Sequence, residues 1–360
     1  MAGYRHARVA TRLALIALGL VIALGRPTAT TSASEAKGFL AATFSLGADE
    51  LERIGAGEVV TRTLTPSDSR EVATVGIVRM RMTPDFYVSR LADIVNFKRD
   101  EAVLQIGVFS SPPVPADIAS LTLDAADVRN LRECRVGRCG LQLPADAIGR
   151  FQREVNWQRS DAPDRANALM RQFLVDYVTK YQQTGTPAPM QYADQANTMD
   201  VRQEFMSLTR SDLGGWDRFP GLRSHLLEYP DTLAPDTRDL LYWSKERVAR
   251  KSVASVTHLA ISRTAGGSPA EYAIASKQIY GTHYYDASLG LTMLLADRTS
   301  ATPITYVAYV NRSRIDIFTG VLGKFARKMV TMKARSTVSD QLAQLQRTLE
   351  PQFGGAPSPR

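Results

Sequence analysis

The chain has 360 residues, 44% of them hydrophobic and 22% charged, with a formal net charge of +8. That composition excludes a disordered or collagen-like polypeptide. A charge surplus this mild gives no support for a nucleic-acid partner.

The first 36 residues differ in character from the rest. Arg5, Arg8 and Arg12 precede a purely apolar run over 13–25, and small residues follow up to Ala33 and Ala36. A basic region, a short apolar core and a small-residue exit predict a secretory signal peptide over 1–36. The alternative is a retained N-terminal anchor in the inner membrane. No Arg-Arg pair precedes the core and no Cys follows it, which argues against a twin-arginine route and a lipoprotein. Residues 1–36 carry four basic residues and one acid, so their removal lowers the net charge from +8 to +5. The product is expected in the periplasm or secreted. Its charge is compatible with peripheral contact with an anionic membrane.

Residues 37–57 read as two short helices, ended by Gly55 and Gly57. Strands follow over 58–64 and 71–82. In the second, Val72, Thr74, Gly76, Val78 and Met80 alternate with Ala73, Val75, Ile77 and Arg79. Thr83 is placed to cap a helix that begins at Pro84, with Phe86, Leu91, Ile94 and Val95 on its apolar side. A strand over 103–110 comes next. From 121 to about 235 the text is helical and irregular. Asp124 is placed as the cap of one helix. Ile148, Phe151 and Val155 mark a second, and Met170, Phe173, Leu174, Tyr177 and Tyr181 a third. Cys134 and Cys139 flank Gly137, whose turn lets the two side chains meet, so a disulfide is expected in an exported chain. The last third is rich in Val, Ile, Thr and Tyr and has hairpin-length links, which predicts an antiparallel meander. The chain closes on an amphipathic helix with Phe325, Met329, Met332, Val338, Leu342, Leu345 and Leu349 on one stripe. Residues 351–360 read as a disordered tail.

This order of elements resembles the START-like, or SRPBCC, helix-grip superfamily. The resemblance covers 58–110 and 238–350, and "VATVGIVRMRMTPDFYVSRLADIVNFKRDEAVLQIG" is similar to that family's opening, with Pro84 and Asp93 in the matching places. It implies an α+β domain over 37–350 in which a bent antiparallel sheet wraps on the long C-terminal helix and leaves a cavity between them. Residues 111–235 depart from the family as a large helical insertion. The chain also resembles exported bacterial proteins.

The candidate chemistry is concentrated in "ASKQIYGTHYYDASLGLTMLL". Read as one strand over 275–286, it carries Lys277, His283 and Tyr285 on one face and Asp286 on the other. A mixed face of that kind lines a wetter space than a core, so the three residues are candidates for contact with the polar end of a ligand. Equally, they fit an interior network with every polar tip satisfied. His258 falls on a neighbouring strand. Phe325 and Met329 are candidates for the wall contributed by the last helix. Arg312, Arg314 and Asp316 read as a solvated, cross-strand paired face. No G-x-S-x-G, H-E-x-x-H, Walker or dinucleotide-binding motif is present, so no catalytic residue, metal or cofactor is assigned. The leading expectation is an exported binding or carrier protein for a lipid or other hydrophobic small molecule. The alternatives are an enzyme on the same scaffold, using Lys277, His283 and Tyr285 as acid–base groups, and an envelope protein whose insertion binds a partner.

Overall fold

The computed structural model describes residues 30–185, 190–209, 215–232, 234–264, 270–316 and 323–355, and the side chains of 30–34 and 323–326 are not among those described. In chain order the elements are α1 (Thr30–Phe44), α2 (Ala48–Gly55), β1 (Val60–Thr63), β2 (Glu71–Met80), α3 (Pro84–Leu91), α4 (Ile94–Phe97) and β3 (Val103–Val108). A helical segment follows, with α5 (Ala125–Glu133), α6 (Ala145–Glu154), α7 (Ala162–Thr184), the short pair β4 (Gln191–Tyr192) and β5 (Met199–Asp200), α8 (Val201–Thr209) and α9 (Pro220–Glu228). The chain then runs through β6 (Thr237–Val248), β7 (Lys251–Arg263), β8 (Tyr272–Gly281), β9 (Tyr285–Asp297), β10 (Ile304–Ile315) and α10 (Gly323–Gly354). The expected signal-peptide core lies outside the described residues. The boundary expected at Ala36 falls inside α1, where Ala36, Phe39 and Leu40 are buried.

Eight strands form one antiparallel sheet in the order β1-β2-β10-β9-β8-β7-β6-β3. The meander from β6 to β10 follows chain order, as its short links dictate. The two ends of the sheet are set by the N-terminal strands. β2 pairs with β10, with Val75 opposite Val310, and β3 pairs with β6. The fold is therefore mixed α+β, with the segment between β3 and β6 inserted into an antiparallel sheet.

Both faces of the sheet are covered. One face sends Val78, Met80, Leu259, Ile261, Ile274, Leu294 and Val307 against α3, α4 and α10. The other sends Val75, Ile77, Ala260, Leu289, Leu291 and Met293 against α1, α8 and α9. Its β6–β8 end, including Trp243, Val256 and Ile279, packs on α5, α6 and α7. The insertion is thus the lid of a second core.

Helix α10 comes down on β2 at Gly76, where a Cβ would lie 2.5 Å from Val338 Cγ1 and 2.6 Å from Leu342 Cδ1. The missing side chain is what allows the close approach. Arg335 donates to Thr61 O at 2.9 Å, and Gln346 donates to Gly57 O and Arg79 O at 3.1 and 3.0 Å. The helix continues through Gly354, so the tail expected from 351 begins later than the composition implied, and 356–360 lie outside the described residues.

Local signals hold in two places and fail in two. Thr83 Oγ1 accepts from Phe86 N at 3.2 Å, with Pro84 in the first helical turn. Cys134 and Cys139 form a disulfide across a turn in which Gly137 has φ +82°. Asp124 does not cap α5 through its side chain; its carboxylate receives Lys245 Nζ at 2.6 Å and Ser252 Oγ instead. Arg312 and Arg314 are buried, not solvated. Arg312 pairs with Glu71, and Arg314 with Glu204 and Asp68. No helix among the described residues is long and apolar enough to cross a membrane.

Candidate functional site

The run 275–286 is not one strand. β8 ends at Gly281, residues 282–284 reverse the chain, and β9 begins at Tyr285. Tyr284 takes up the reversal at φ +69°. The turn separates the three candidates. Lys277 points toward the insertion, where Nζ donates to Leu226 O at 3.2 Å and sits 4.3 Å from the centre of the Phe205 ring. His283 lies in the turn itself, with Nε2 bonded to Asp127 Oδ1 at 3.0 Å and Lys251 Nζ 3.4 Å from Nδ1. Tyr285 packs with Val72, Ile315 and Val330, on the α10 side.

His258 is the direct cross-strand partner of Lys277 and shares its face. Its Nδ1 accepts from the Tyr181 hydroxyl at 2.9 Å, and its Nε2 donates to Asp239 Oδ1 at 2.8 Å. Lys277 and His258 therefore face α7, α8 and α9, away from α10. A water-sized pocket of about 30 Å³ beside Lys277 is lined by Tyr177, Tyr181, Val201 and Phe205. Met329 is 51% exposed and lines no interior. The side chain of Phe325 lies outside the described residues.

Lys277 is the most perturbed cation of this face. Burial, with Arg202 nearby, pulls it down to about 7. Between about 7 and its ordinary 10.5 the folded chain binds fewer protons than the unfolded chain, so this group makes stability rise with pH across that window. Lys277→Met is expected to raise the unfolding free energy by about 2–4 kcal/mol at neutral pH and to flatten that rise. Urea unfolding of both proteins at several pH values checks it. An equal pH slope in the variant would show that another group dominates.

On the α10 face the middle of the sheet is built differently from its reverse. Ser276 on β8, Ser288 and Thr292 on β9, and Tyr309 and Asn311 on β10 are all half-buried. Their neighbours one position along, on the other face, are closed: Ala275 is 0%, Leu289 1% and Val310 0% exposed. The floor is small and hydroxylic. Ser288 Oγ lies 2.8 Å from Ser313 Oγ, and Asn311 donates to Tyr309 Oη at 3.3 Å. A Cβ at Gly290 would stand 2.4 Å from Ser276 Oγ and 3.1 Å from the Tyr309 ring. These positions are the less covered part of the sheet face that packs on α3, α4 and α10.

A charged pair stands at the α4 end. Lys98 Nζ lies 2.8 Å from Glu246 Oε1 and 5.5 Å from the centre of the Tyr242 ring, and the two charged side chains keep 28% and 25% of their surface accessible. Burial works against the Lys98 ammonium, but Tyr242 and the Glu246 carboxylate outweigh it and hold the group above the usual lysine value. Burial alone would raise Glu246; Lys98 brings it below the usual carboxylate range. Both groups stay charged at neutral pH, each compensated by the other.

Sequence reasoning placed none of Ser276, Ser288, Asn311, Lys98 or Glu246 at a site. Serine and asparagine at alternating strand positions read as a solvated face, and only the cover supplied by α3, α4 and α10 turns that face inward. It also missed His225 and Asp239, which stand beside His258 although the three come from distant positions. No protein-family model matches the chain, and no curated protein matches it.

Proposed function

We propose that the protein is an exported, START-like binding or carrier protein, and that its ligand is a lipid or other hydrophobic small molecule held in a hollow between the sheet and α10. One observation carries the reading. The α10 face has an accessible floor of small and hydroxylic residues, while the reverse of the same strands is closed. A packed core would place large apolar side chains at Ser276 and Ser288. The floor offers hydrogen bonds to a polar group. The strand order supports the helix-grip form of the fold, because the strand before the two short helices lies beside the last strand, and the last helix packs on it. The Cys134–Cys139 disulfide is consistent with an oxidising compartment such as the periplasm.

The test is mass spectrometry of organic extracts from natively purified protein, paired with titration of a dansyl-labelled fatty acid. One co-purifying amphipath is expected. Ser288→Leu and Asn311→Leu, which fill the hollow, are expected to weaken the probe by about tenfold or more while leaving the chain folded. Preparations that carry no amphipath, together with probe binding unchanged by both substitutions, would sink the proposal.

A further inference from the structure

On the face opposite the hollow, three metal-ligating side chains converge from three elements: His225 from α9, Asp239 from β6 and His258 from β7. Both imidazoles direct Nε2 at one atom, Asp239 Oδ1, at 2.7 and 2.8 Å. One ligating atom from each residue lies within 4.8 Å of the others. We propose that His225, Asp239 and His258 form a binding site for a divalent transition-metal cation of the zinc type.

The outer contacts are those such a site needs. A metal-bound imidazole is oriented by what its second nitrogen bonds. His225 Nδ1 donates to Thr232 O at 2.7 Å, and His258 Nδ1 lies 2.9 Å from the Tyr181 hydroxyl, which accepts from Nδ1–H when Nε2 carries the cation instead of its proton. The Tyr229 ring, centred 4.6 Å from that of His258 and stacked on Tyr181, packs the group from the side. Both histidine side chains are buried, at 1% and 0% exposure, so their ring positions are set by packing. The Asp239 side chain keeps 24% of its surface accessible, so the site opens to solvent on the carboxylate side.

Two imidazoles and one carboxylate are a donor set for zinc-type ions, and three protein ligands leave positions for water. In the metal-free chain the space between the donors holds the two Nε2 protons. A tetrahedral ion with ligands at about 2.0–2.2 Å needs the nitrogen–oxygen separations to open by roughly half an ångström. Asp239, at the accessible edge, is the residue free to make that movement. One carboxylate and two neutral imidazoles leave a bound dication with a net charge of +1, which the waters at the open side solvate. The site does not depend on the ligand proposed for the hollow, which lies across the sheet.

The experiment is titration of the full metal-free chain with Zn²⁺, by calorimetry and thermal unfolding, and with Co²⁺ by visible absorption. One equivalent is expected to bind, to raise the melting temperature and to give Co²⁺ a ligand-field band. Asp239→Asn keeps the shape and an acceptor and is expected to weaken binding by at least about tenfold, as is His258→Gln. Tyr181→Phe removes only the outer contact and is expected to weaken binding by about tenfold with the fold intact. Absence of a tight equivalent in the wild-type chain would overturn the proposal. So would Zn²⁺ binding that survives unchanged in a folded Asp239→Asn variant, which would place the ion elsewhere.

Discussion

Glu71→Ala is expected to cost about 3–5 kcal/mol of stability, because it strips the carboxylate from a buried guanidinium. Glu71 is 0% exposed and Arg312 3%. The carboxylate takes Arg312 Nη1 on one oxygen and Ser67 N, at 2.7 Å, on the other. Alanine takes the Glu71 carboxylate away from the buried Arg312 charge and leaves the 65–70 turn without its anchor. The loss comes from weaker compensation of a buried charge more than from the pair itself. Glu71→Met combined with Arg312→Met is therefore expected to cost less than the sum of the two single changes, since an ion pair replaced by packed apolar groups is often close to neutral. Chemical denaturation of the four proteins forms the cycle. Strict additivity would show that the two groups are not coupled.

Gly185→Ala is the second large effect. Gly185 ends α7 with φ +58° and ψ −142°, a region that L side chains rarely enter. A Cβ there would stand 1.3 Å from Tyr229 O and 2.8 Å from Pro230 Cδ. Backbone cannot rotate away as a side-chain tip does, so either α7 or the 229–230 segment must move. Tyr229 stacks on Tyr181 and packs against His258, and the shift reaches both. A loss of about 4 kcal/mol or more is expected, with perturbed near-ultraviolet circular dichroism from the tyrosines. Gly38→Ala is the control. It lies inside α1 with nothing within 4 Å of the added carbon, and it is expected to stabilise by about 0.5–1 kcal/mol. A Gly185→Ala variant as stable as wild type would mean that the α7–Tyr229 contact is not rigid.

The meander, the C-terminal helix and the cysteine turn were legible because each is written locally. A run rich in Val, Ile, Thr and Tyr with hairpin-length links marks β6 to β10, a seven-residue stripe marks α10, and Gly137 sits between two cysteines. The cover on both sheet faces was not legible. β7 buries Leu259 and Ile261 on one side and Ala260 on the other, and a run apolar on both sides carries no sign of what lies over each. The break at 282–284 was read through as strand because Thr282, His283 and Tyr284 carry no Pro, Asn or Gly, and Gly281 just before them reads as a bulge or sharp bend within strand text. Arg312 and Arg314 read as solvated because Glu71 and Glu204, the acids that neutralise them, come from distant parts of the chain. The same distance hid the convergence of His225, Asp239 and His258, whose separations match no ligand spacing along a single helix or strand.

The pairing of β2 with β10 has a consequence for how the chain reaches this state. Hairpins from β6 to β9 close over short loops and can form early. β2 must wait for Thr305–Arg314, most of the chain away. Until then "EVATVGIVRM" is a ten-residue strand, buried along nearly its whole length in the final sheet, with one edge served only by the four residues of β1. An apolar strand of low charge with an open edge is a template for pairing with other chains. Any nascent or truncated form that lacks β10 carries that template exposed, so the last strand protects the chain from self-association as well as completing the sheet.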